Sequence, residues 1–177
     1  MPNVSMKKMP DAGGGHGVNS AGAAGEESQI ELIKGKVSQF AARNGRRPRV
    51  LVSHIGPSGQ RRTLNQIAAI FARRGFDVDI GSICQSPQQV ALMAIENDVH
   101  MVCLLCDPER QSQMESDLFD VLRANNSDDL LVAFFGDTHT GGDRRQAPGG
   151  RYPPVGIRPA SADADINTIL DKLSKKN

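Results

Sequence analysis

Tryptophan is absent from the 177-residue chain and tyrosine occurs once, so aromatic residues amount to 4%. A surface that stacks nucleic-acid bases on aromatic rings has almost nothing to be built from. An excess of one charge is lacking too: 21 Lys and Arg face 20 Asp and Glu, for a net charge of +1. That balance argues against a general polyanion-binding surface, while leaving room for a local basic pair. Cysteine is scarce, and Cys84, Cys103 and Cys106 all lie in apolar segments. An odd count in such segments points to buried thiols in a reducing compartment rather than to a disulfide framework. No apolar run approaches the roughly 20 residues of a membrane span. Residues 1–25 lack the apolar stretch of a secretory signal and contain no Arg. Neither nucleic acid nor membrane is expected as a partner. The expected location is the cytoplasm, or the mitochondrial matrix in a eukaryotic cell.

What is present is a regular alternation of patterns. Residues 1–26 are rich in Gly and Ala and read as a disordered tail. Residues 27–45 place Ile30, Ile33, Val37, Phe40 and Ala41 at helical spacing and end at Asn44-Gly45. This amphipathic helix precedes a domain spanning 46–177 and has its apolar stripe available for that domain or for a partner. "RVLVSHI" (49–55) is a β-branched strand ending at Gly56, and 61–75 put Leu64, Ile67, Ala68 and Phe71 on one helical face. "FDVDIGSI" is a second strand. Ser86, Pro87 and Gln89 then form a helix start with a capping box. "VHMVCLLC" is continuously apolar, as a strand buried on both faces should be. A helix after Pro108 turns Met114, Leu118, Val121 and Leu122 inward, and "DLLVAFFG" is a fourth strand. "RYPPVGI" supplies a short fifth, and the closing helix carries Ile166, Ile169, Leu170 and Leu173. Such βα alternation predicts a doubly wound α/β domain, flavodoxin-like or Rossmann-like. Five parallel strands carry helices on both faces. Ligands of such sheets bind beyond the carboxyl ends of the strands, at the switch point.

The chemistry available in those loops is sparse. "GPSGQRRT" (56–63) enters a helix start, where exposed N–H groups and the helix dipole favour an anion, and Arg61 and Arg62 add charge. It is neither a phosphate-binding GxxxxGK[ST] loop nor GxGxxG. Cys103 and Cys106 spell CxxC, but on a strand positions three apart face opposite ways, so buried thiols are expected rather than a redox or zinc site. In "GDTHTGGDRRQAPGG", Asp137, His139 and Asp143 are few ligands for a metal, and Arg144 and Arg145 offer an anion contact. Asp107 reads as an N-cap before Pro108. His54 and His100 read as packed or strand-edge residues. No Ser/His/Asp order, HExxH or spaced carboxylate pair is present, so catalysis by this chain alone is not indicated.

The stretch from Arg47 to about Cys106 resembles the cobalamin-binding domain of the methylmalonyl-CoA mutase family, without a gap. "GFDVDIG" (75–81), "QSPQQVA" (85–91) and "NDVH" (97–100) are close to the family wording. The resemblance implies that the first loop should carry D-x-H-x-x-G, whose His binds cobalt from below and whose Asp orients it. Those positions are Ser58, Gln60 and Thr63 here, with Gly59, Arg61 and Arg62 beside them. A Gln amide is a poor nitrogen donor, since its lone pair is delocalised into the carbonyl. The family's Ser-x-Leu after strand three matches Leu105, Cys106 and Asp107, and its Gly-Gly after strand four matches Phe135 and Gly136. The resemblance thus implies a cobalamin place whose ligand motifs are degenerate. The metal position is Gln60. It further implies a non-catalytic subunit or partner-binding module, paired with a mutase catalytic subunit. The alternatives are a cobalamin carrier holding the cofactor without a protein His, and a domain using Arg61 and Arg62 for another anionic ligand such as a nucleotide.

Overall fold

The computed structural model describes residues 20–56, 61–136, 155–158 and 161–175, with side chains from residue 25. The first element, α1 (Ser20–Asn44), starts earlier than the expected residue 27. The Gly and Ala of 20–25 resembled coil by composition, but alanine is the strongest helix former and extends the helix toward its start. The Gly45 N–H bonds to the Ala41 carbonyl, and α1 ends at Asn44-Gly45 as its sequence predicts.

Five parallel strands follow: β1 (Arg49–Ile55), β2 (Asp77–Ile80), β3 (Met101–Cys106), β4 (Leu131–Phe135) and β5 (Val155–Ile157). They lie in the order β2-β1-β3-β4-β5. Between them run α2 (Arg61–Ala72), α3 (Pro87–Glu96), α4 (Gln111–Ala124) and finally α5 (Ala162–Lys175). Strand side chains alternate between two cores. Val50, Val52, Met101, Cys103, Leu131 and Ala133 face α1, α2 and α5. Leu51, Ile55, Val102, Leu104, Val132 and Phe134 face α3 and α4. This is the doubly wound sheet that the alternation predicts.

Local chemistry fixes the element ends. At α3, Gln89 N–H donates to the Ser86 hydroxyl at 3.2 Å and the Gln89 side chain accepts from Ser86 N–H at 2.9 Å, with Pro87 in the first turn. At α4 the inward set includes Phe119 together with Leu118 and Leu122, while Met114 and Val121 are half-buried. The turn after α2 is held by Gly75, whose φ of +89° suits glycine and whose missing Cβ would sit 3.3 Å from Val37 Cγ1. Helix α1 therefore rests directly on the end of α2. Its apolar stripe, Ile30, Ile33, Val37 and Phe40, is fully buried by this domain.

Candidate functional site

The strand order reverses between β1 and β3, and β1 pairs with β3 through Ile55 and Cys106, so the switch point lies at their carboxyl ends. His54 is opposite Leu105, and the register Leu104–Phe134 sets Leu105 beside Phe135. Alternation from Val52 and Cys103 puts His54, Leu105 and Phe135 on the face covered by α1, α2 and α5. Leu105 and Phe135 are half-buried and pack on that core. Because β1 ends where α2 begins, His54 lies below the first turn of α2, which carries exposed Arg61 and Arg62 and half-buried Thr63.

His54 is 2% exposed, and its Nδ1 is buried with no hydrogen-bond partner. Leaving such an atom unpaired disfavours the fold by about 1–3 kcal/mol. Burial lowers the imidazole pKa, against the raising influence of Asp107 and of the Gly56 backbone. The ring is therefore neutral near pH 7. Asp107 corrects one expectation. It stands before Pro108 and the single 3-10 turn Pro108–Arg110, but its side chain makes no capping hydrogen bond. Instead Asp107 Oδ2 lies 3.7 Å from where a Cβ on Gly56 would be, at the end of β1.

On the opposite face, the Ser53 hydroxyl donates to Gln85 Oε1 at 2.5 Å in a buried pair. Gln85 N–H also donates to the His54 carbonyl at 3.1 Å, locking the β2–α3 loop to the end of β1. Gly81 permits this, since a Cβ there would come 2.6 Å from Gln85 Oε1 and 2.8 Å from Ser53 Oγ. This bond was not anticipated from sequence, where Ser53 and Gln85 stand 32 residues apart. The glycine between them was the available signal.

Across 113 residues the chain is 36% identical to the methylmalonyl-CoA mutase large subunit of Streptomyces virginiae, covering 64% of this chain and 15% of that one. The mitochondrial methylmalonyl-CoA mutase of Bos taurus is 39% identical over 108 residues, 61% of this chain and 14% of the other. The chain is a relative of the methylmalonyl-CoA mutases. It spans only about one-seventh of their length. A solved cobalamin-binding protein from Desulfitobacterium hafniense DCB-2 superimposes with a TM-score of 0.55 at 15% identity, covering 85% of this chain and 73% of that one. The domain thus has the fold of a cobalamin-binding domain. No family model matches the chain.

Set against the mutase resemblance, the described positions come together at one end of the sheet. Arg61, Arg62 and Thr63 start α2, Leu105 and Cys106 end β3, Asp107 follows, and Phe135 and Gly136 end β4. Ser58, Gly59 and Gln60 lie outside the described residues, as do Asp137, His139, Asp143, Arg144 and Arg145. Among the described residues no group of three His, Cys, Asp or Glu is placed to hold a metal. His100 is structural: its Nδ1 accepts from Arg49 N–H at 2.9 Å, and its ring meets Phe40 edge-on at 5.1 Å.

The thiols behave as strand geometry predicts. Cys103 joins the core under α1, α2 and α5, while Cys106 packs toward α3 and α4, so they face away from each other. Burial raises the Cys103 pKa strongly, and burial with Asp107 and Glu115 pushes Cys106 up to about 11. Cys84 is exposed. With a thiol-reactive disulfide dye at pH 8, one thiol should react fast, one slowly and one only after unfolding. Loss of two thiols together by mild oxidation would contradict this placement.

Proposed function

We propose that this chain is a non-catalytic module of cobalamin-binding-domain fold, acting as a subunit or partner of a mutase-type catalytic chain, and that it does not hold cobalt through a protein imidazole. The observation that carries this reading is the pair Leu105 and Phe135, adjacent on the face beneath α2 and packed on the core at the end where a cofactor tail would enter. Two apolar side chains fill space that such a tail needs, and close-packed interiors yield little room. Asp107 beside them sets a negative charge against any phosphate. Gln60 at the cobalt-ligand position of the resemblance points the same way. Among the described residues no helix is long and apolar enough to cross a membrane. Titrating hydroxocobalamin and adenosylcobalamin while following the visible spectrum tests the reading. The expected result is no conversion to the base-off form at micromolar concentrations. A base-off spectrum with nitrogen below cobalt would sink it.

A second reading is a cobalamin carrier that keeps the cofactor's own base on the metal. It is favoured by one feature, that Leu105 and Phe135 are only half-buried and so do not seal the end of the sheet. Binding without a spectral shift to base-off would select this reading.

A further inference from the structure

His54 is a polar side chain in a row that is otherwise apolar. Val50 and Val52 precede it on the same face, and Leu105 and Phe135 continue the row across β3 and β4. It is 2% exposed, and Nδ1 has no hydrogen-bond partner. Native structures seldom bury such an atom unpaired unless a ligand, a chemical role or a trapped water accounts for it. The atom sits at the carboxyl end of β1, by the switch point, under the first turn of α2. Its neighbour is the Asp107 carboxylate, so the inner part of this place offers acceptors and repels a phosphate. The outer part is opposite in character. The N-terminus of α2 presents N–H groups, with Arg61 and Arg62 exposed beside them. A ligand that satisfies both must carry an anionic phosphate at one end and a neutral hydroxyl or N–H donor at the other.

We propose that His54 Nδ1 and the start of α2 together bind a nucleotide unit, with the phosphate at Arg61 and Arg62 and a ribose hydroxyl or base N–H donated to His54. The unit is either a free mononucleotide or the nucleotide tail of a corrinoid. This inference goes beyond the partner-module reading and does not depend on cobalt ligation. Long-range proton–nitrogen correlation spectra of the 15N-labelled chain follow the imidazole nitrogens directly, with the His54 signals assigned by their loss in His54→Phe. In the free chain the Nδ1 resonance should lie at the position of an unbonded neutral nitrogen. Saturation with AMP or with hydroxocobalamin should move it, and whichever probe does so identifies the source. His54→Phe should weaken that binding about tenfold, the share of one hydrogen bond, and Arg61→Ala with Arg62→Ala should weaken it further. An Nδ1 already hydrogen-bonded and unmoved by both probes would mean a trapped water only and overturn the proposal. An equal shift with inorganic phosphate alone would overturn it as well. A base-off visible spectrum with no movement of Nδ1 would defeat both this proposal and the partner-module reading, whereas a base-off spectrum with movement would defeat only the latter.

Discussion

Phe135→Ala, combined with Gln60→His, Ser58→Asp and Thr63→Gly, is expected to give a chain that takes hydroxocobalamin base-off. The three loop substitutions without Phe135→Ala should bind at least tenfold more weakly. The loop substitutions restore an imidazole donor, a carboxylate to fix its tautomer and orientation, and a glycine at the close approach. They do nothing for the space at the end of β4, where Phe135 packs on the core and pairs with Ile157. Removing most of a half-buried phenyl opens that space at a stability loss below the roughly 3–5 kcal/mol of a fully buried Phe→Ala. The visible spectrum and a titration give both quantities. Equal affinity of the two variants would show that Phe135 is not the obstruction. Failure of both at millimolar cofactor would show that Leu105 and Asp107 suffice to exclude it.

Asp163→Ala should lower stability by about 3 kcal/mol, and so the melting temperature by roughly 6–12 °C for a chain of this size. Arg74 is 5% exposed. Its Nε and Nη2 reach Asp163 Oδ1 at 2.6 and 2.5 Å, while Nη1 donates to the Ile70 carbonyl at 2.7 Å. Removing the carboxylate leaves a guanidinium buried without its counter-ion, which is far worse than removing the pair. Arg74→Met with Asp163→Leu should therefore recover most of the loss in urea denaturation. The pair Lys36–Asp171, also at 2.7 Å, is solvent-exposed on both sides, and its deletion should change stability by about 1 kcal/mol or less. Comparable losses at the two pairs would contradict this account.

The architecture was legible because each element states itself locally. The period-two strands, the stripe Leu64–Ile67–Phe71 and the Ser86–Gln89 box need no distant partner to be recognised. The site was legible only in part. That Leu105, Phe135 and His54 share one face depends on strand order and register, which periodicity does not contain. The same holds for the bond from Ser53 to Gln85, formed when β2 and β1 become neighbours. Asp107 was misread for a related reason: beside Pro108 it has the local chemistry of a cap, but Gly56 and His54 across the sheet place its carboxylate elsewhere. His54 could be foreseen as buried, but its unpaired nitrogen is a property of the assembled interior.

The seating of α1 has a consequence for how the protein is made. Ile33, Val37 and Phe40 share one core with Ile166, Ile169, Leu170 and Leu173 of α5, and Lys36 bonds to Asp171. A ribosome delivers these two partners at opposite ends of the message. Until α5 emerges from the exit tunnel, the stripe of α1 stays partly bare, and nascent chains must hold an apolar helix in waiting while four strands assemble. Chaperone capture during synthesis should therefore end abruptly with release of the last fifteen or so residues rather than fade as each strand is added.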